Sequence, residues 1–120
     1  MEKPDKFDDN YVPKDLEESI ALLIQKNWDD MERIRSMTEG DLNASVHFSI
    51  GRWIRNNWGL WSGDSDLCKW FKDKEVPHPD DMTGIIITSF HRRVTGKEIG
   101  LEEQIQFYKD YWEQYGTIKK

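Results

Sequence analysis

Apolar residues recur along this chain at intervals of three and four, the period of a helix with one buried face. In "LEESIALLIQK" the positions Leu16, Ile20, Leu23 and Ile24 fall on one stripe, and Asp15 with Glu18 three residues later forms a capping-box-like start behind Pro13. Met31 and Ile34 predict a short second helix. Leu42, Val46, Ile50, Trp53, Ile54 and Trp58 then keep helical spacing over the longest stretch, and Thr38 stands where an N-cap is required. One long helix is the expectation, although Gly40 and Gly51 each weaken it by about 1 kcal/mol relative to alanine. Gly51 could instead mark a close helix crossing.

The stretch "IRNNWGLWSG" reads as the stop of that helix. Gly59 would take the left-handed terminating position, Leu60 would fold back near Ile54 in a Schellman arrangement, and Trp61 would cap the same apolar end. Ser62 to Ser65 form a turn, and Leu67, Trp70 and Phe71 predict a short helix. The run Ile85 to Thr88 has strand propensity, yet Pro79, Asp80 and Asp81 ahead of it and Gly96 behind it are helix start and stop signals. Met82, Ile85, Ile86, Ser89 and Phe90 keep the helical period, so a central, largely buried helix is expected. Leu101, Ile105, Tyr108, Trp112 and Tyr115 define a last helix, stopped by Gly116. The fold class is therefore all-α, a compact single-domain bundle of about five or six helices over residues 12–116. A flexible acidic arm, residues 1–11, precedes it and a tail, residues 117–120, follows.

Composition narrows the function more than the fold. With 33% charged residues and no long apolar run, no segment of the 120 residues could cross a bilayer, and the N-terminus lacks the apolar stretch of a secretory signal. The single cysteine, Cys68, excludes an internal disulfide framework and fits a reducing compartment, so the expected location is cytoplasmic. No activating partner for its thiol is apparent. A net charge of -6 disfavours nucleic acid as a partner and favours basic proteins. No glycine-rich phosphate loop, dinucleotide fingerprint, zinc-protease helix or calcium loop occurs, so no cofactor and no metal are assigned.

Three groups of residues could still carry chemistry. "HPDD", His78 to Asp81, places an imidazole beside two carboxylates; helix capping and dipole complementation are the simpler account. His47 and His91 border apolar stripes on other predicted helices and could converge with Asp80 or Asp81. Arg52, Arg55 and Asn56 on the long helix, with Arg92 and Arg93 near the end of another, could form an anion pocket through bidentate guanidinium contacts. Pairing with acidic residues of the same chain is the competing explanation, and the stronger one.

The ordered blocks "VPKDLEESIALL", "IRNNWGLW", "HPDDMTGIII" and "SFHRRVTGKEI" resemble a domain-of-unknown-function family of small bacterial proteins, from about Val12 to Ile99. The resemblance implies a small helical domain whose recurring residues include Arg55, Asn56, Trp58, Gly59, Leu60, Trp61, His78, Pro79, Asp80, Asp81 and His91. In size and charge the chain also resembles immunity proteins. The expected function is a non-enzymatic binding protein that inhibits or sequesters a protein partner, with a basic one favoured by the net charge. Arg52, Arg55, Asn56, Trp58, Trp61, His78, Asp80, Asp81, His91 and Arg92 are its candidate binding residues. A module for a phosphate- or carboxylate-bearing small molecule is the alternative, and a metal-dependent hydrolase using His78, Asp80, Asp81 and His91 is a third.

Overall fold

In the computed structural model, which describes residues 2–115, the helical punctuation is largely where the sequence places it. Asp15 caps α1, Leu16–Lys26, by accepting from the Glu18 amide at 2.9 Å. Glu18 does not complete a capping box. Its carboxylate reaches one residue further, accepting from the Lys14 amide and from the Tyr11 hydroxyl. A 3-10 turn, Trp28–Asp30, leads into the short α2, Met31–Ser36, whose Met31 and Ile34 are buried.

The single long helix is not formed. Thr38 caps α3, Glu39–Val46, the chain breaks at residues 47–49, and α4, Ile50–Asn57, starts afresh. The Ser49 amide bonds three residues back to the Val46 carbonyl, and the Arg55 guanidinium seals the break, donating to the His47 carbonyl at 3.0 Å. A carbonyl that has lost its ladder partner is thus satisfied by a side chain. Gly51 allows the tight geometry: a Cβ there would lie 3.2 Å from the Val46 carbonyl oxygen and 3.5 Å from Thr83 on a crossing helix.

Gly59 is left-handed, with φ of +69°, and a side chain there would strike Ser65. Leu60 is buried as expected. Trp61 is not: it is 57% exposed and leaves the apolar end of α4 to Trp58 and Leu60. Ser65 then caps α5, Asp66–Asp73, and Cys68 packs in the core with its sulfur 3.7 Å from the Leu60 carbonyl oxygen.

The Ile85 to Thr88 run is helical, part of α6, Pro79–Val94, which packs against each of the other helices. Burial on nearly every side explains its strand-like composition, because a helix surrounded by others needs apolar residues all round. Gly96 ends it in a Schellman pair, the Gly96 amide donating to Arg93 and the Lys97 amide to Arg92. The last helix, α7, Leu101–Tyr115, rests on α6 with Gln104 as its one buried residue among those described. Seven α-helices and no strand occur among the described residues, one helix more than the upper expectation because the long helix is split. Near the N-terminus, Phe7 is buried and its backbone exchanges two hydrogen bonds with the Gln25 side chain. The stop at Gly116 and the tail lie outside the described residues.

Candidate functional site

Two ends of α6 divide the candidate residues. At its C-terminal end the "HRR" residues hold helices together. The His91 ring Nε2 lies 2.6 Å from the Met37 carbonyl oxygen, which assigns it the proton, and Nδ1 is buried without a partner. Arg92 grips the Glu39 carboxylate with Nε and Nη2 and the Ile99 carbonyl with Nη1, while Arg93 makes a two-pronged contact with Glu17. These guanidinium groups hold Glu39 and Glu17 below the ordinary glutamate range, chiefly through the hydrogen bonds they donate. Arg35 from α2 adds a bond to the Val94 carbonyl, which the end of α6 leaves open. This end is a structural clamp between α1, α2, α3 and the α7 approach.

At the N-terminal end, His78 is itself the N-cap, its Nδ1 accepting from the Asp80 amide at 3.0 Å. Its ring stacks on Trp112 of α7, with centroids 5.8 Å apart and planes 25° apart, and meets Trp61 edge-on at 6.3 Å. The Asp81 carboxylate accepts from the Trp112 indole N–H at 2.6 Å. Asp80, on the outer side, faces Arg55 with Nε to Oδ1 at 3.5 Å. A cleft of about 390 Å³ opens between this helix end and α7, and Phe107, Tyr108 and Tyr111 form its other wall. The Tyr108 hydroxyl pKa is raised, first by burial and then by the negative charge of Asp81.

Arg55, Trp61, His78, Asp80 and Asp81 therefore do come together. Other candidates do not join them. Arg52 and Asn56 point from α4 into solvent, and Trp58 is a core residue with 1% exposure. His91 and Arg92 sit at the far end of α6; thirteen residues of helical rise put His91 about 20 Å from His78. His47 is exposed beside Phe48. The three histidines do not converge, and the residues of the supposed hydrolase site are split between the two ends. Among the described residues no group of three His, Cys, Asp or Glu side chains could hold a metal ion. The anion pocket is not assembled either, because Arg55, Arg92 and Arg93 each face a carboxylate of this chain.

The residues missed from sequence are those of α7. Trp112 is read there as core, and Phe107 and Tyr111 lie one position off the apolar stripe. That surplus was the available signal: a helix with one buried face has no packing use for aromatics beside it. Phe107, Tyr111 and Tyr115 follow one another at four-residue steps and are 64%, 45% and 46% exposed. They make an exposed aromatic row; Tyr115, expected on the buried stripe with Tyr108 and Trp112, is exposed instead.

A family model described as a domain of unknown function, DUF6794, matches residues 12–94, from the approach to α1 through the end of α6. No curated protein and no solved structure matches the chain.

Proposed function

We propose that this chain, which belongs to the DUF6794 family, is a non-enzymatic binding protein that recognises a basic protein partner through the outward face of α7 and the adjoining end of α6. The observation that carries the reading is the row Phe107, Tyr111 and Tyr115, with exposed Trp61 reaching His78 at the adjoining end of α6. Large exposed rings clustered on one face are what an interface anchor looks like, since aromatic residues supply most of the binding energy at protein contacts. Glu103 and Asp110 stand one helical turn to either side of Phe107 on the same helix, and Lys109 is tied to Glu75. Acidic flanks speed association with a basic surface and weaken contact with nucleic acid.

The alternative of a small anionic ligand draws no support from guanidinium groups that are already paired. No helix among the described residues is long and apolar enough to cross a membrane. A cytoplasmic setting goes with the proposal, supported by the one thiol, Cys68, being free and buried. Inhibition of the partner, in the manner of an immunity protein, is the mode of action that acidic character and small size favour.

The test is reconstitution. A partner isolated with the chain at low salt is purified separately, and the binary affinity is measured for the parent and for Phe107→Ala and Tyr111→Ala. Each substitution is expected to weaken binding at least tenfold, corresponding to about 1.4 kcal/mol. Affinity should also fall as salt is raised. A reconstituted complex indifferent to both substitutions would overturn the assignment of this face.

A further inference from the structure

The cleft beside the aromatic stripe has features that the stripe alone does not explain. Its walls are rings, Phe107, Tyr108, Tyr111 and Trp112, with His78 stacked on Trp112 at the inner end. Its floor carries Asp80 and Asp81. Rings present a negative face and carboxylates a negative charge, so both elements favour the same kind of guest. The positive end of the α6 dipole works the other way. It is opposed there by Asp80 and Asp81 in the first turn, which is the usual complement of that charge.

The cations nearby are accounted for. Arg55 faces Asp80 from the buried side, and Lys109 is held by Glu75 at 2.6 Å. The charge of Asp81 is felt at the opposite wall, where it helps to raise the Tyr108 hydroxyl above its ordinary range. Asp80 is 46% exposed, so one carboxylate remains open to an arriving group while still in contact with Arg55. The volume of about 390 Å³ suits a side chain rather than a folded element.

We propose that this cleft receives a guanidinium or alkylammonium group from an arginine or lysine side chain of a basic protein partner, held between the α7 rings and the Asp80 and Asp81 carboxylates. The proposal rests on the reading of α7 as the partner-facing helix and identifies what that partner must offer. An inserted cation loses water, lies against ring faces and meets a carboxylate, whereas a neutral side chain of the same shape gains only the ring contact.

The first test does not require the partner. The full chain, labelled with nitrogen-15, is titrated with Nα-acetylarginine amide, with the neutral isostere Nα-acetylcitrulline amide, and with free agmatine. The Trp112 and Trp61 indole signals are the readout. Saturable shifts of Trp112 with the arginine compound, reduced or absent with citrulline, are expected. Tyr111→Ala should weaken that binding roughly two- to fivefold, the range of a single exposed cation–ring contact. Asp80→Asn should weaken it as well, with Tyr111→Ala serving as the variant that leaves the Arg55 contact intact.

Equal response to arginine and citrulline would overturn the charge requirement, and no response from Trp112 would overturn the site. Binding of agmatine with exclusion of the capped arginine would overturn the polypeptide source. If the arginine compound fails while a reconstituted complex still depends on Phe107, the docking face stands and the cleft assignment falls. If the compound binds and no complex depends on α7, the reverse holds.

Discussion

At the scale of single residues, Gly84 decides how α7 can lie on α6. A Cβ at this position would collide with the Tyr108 hydroxyl oxygen, while the ring carbon that bears it would be 3.5 Å away, an ordinary contact. Gly84→Ala is therefore expected to cost about 1 to 3 kcal/mol, as overpacking does. Adding Tyr108→Phe should recover most of that loss, because removal of one oxygen removes the clash. Urea unfolding of the two single variants and the double variant measures the coupling; simple additivity would show that Tyr108 does not occupy the notch. Arg55 is a different case, a residue only 6% exposed whose guanidinium has Asp80 on one side, the His47 carbonyl on the other and Nη1 without a partner. Arg55→Ala should destabilise by about 2 to 4 kcal/mol, through lost packing and the orphaned carbonyl. Arg55→Met keeps the packing of the stem and should cost less in the same unfolding measurement. Equal losses would mean that the charge, not the stem, is what matters.

Among the elements, α6 and α7 stand at opposite ends of a stability scale. Helix α6 has ten buried residues and neighbours on every side, whereas α7 has Gln104 alone, bonded to the Ser89 hydroxyl and the Ile99 carbonyl. Amide hydrogen exchange should accordingly be slowest in α6 and fastest, among the helices, in α7. Protection of α7 equal to that of α6 would contradict the packing described. The contacts between the two run in antiparallel register, Asp81 with Trp112, Gly84 with Tyr108 and Ser89 with Gln104. Spacing near one helical turn on both helices is what aligns them. Phe107 and Tyr111 stand beside the row of residues 104, 108 and 112, and Tyr115, on the row itself but one turn past Trp112, lies beyond the start of α6 and stays exposed.

For the whole molecule, acid stability follows from the clamp at the C-terminal end of α6. Arg92 and Arg93 lower the pKa values of Glu39 and Glu17 below the reference of 4.5. A carboxylate whose folded pKa is depressed contributes stability that is complete above its unfolded value and is lost as pH falls through the folded one. Stability should thus be flat from neutrality down to about pH 5 and decline below about 4.5. The Glu39 pair, with both side chains less than a third exposed, accounts for about 1 kcal/mol of this, and the Glu17 pair, 67% exposed on the acid side, for less. Glu39→Gln should lower stability at pH 7 and reduce the slope between pH 5 and 3; thermal unfolding across that range reads both. A slope unchanged by Glu39→Gln would place the acid sensitivity elsewhere.

The helices themselves were legible in the chain because their causes are local. Caps at Asp15 and Thr38, proline at position 79, left-handed glycines at 59 and 96, and apolar residues one turn apart act within a few positions of one another. The same logic read Ile85 to Thr88 correctly, since start and stop signals outweighed the composition between them. The break between α3 and α4 was not legible, because the periodic stripe runs through it unaltered and the contact that seals it comes from Arg55 to a carbonyl eight residues away. The site divides in the same manner. His78, Asp80 and Asp81 stand together along the chain, but their meeting with Arg55, Trp61 and the α7 rings depends on how α4, α6 and α7 cross. That arrangement is set by burial and by close contacts such as Gly84 with Tyr108, which link residues far apart in sequence and leave no pattern within any one segment. Local spacing determines which face of each helix is apolar; only packing decides which partner covers it and which rings remain outside.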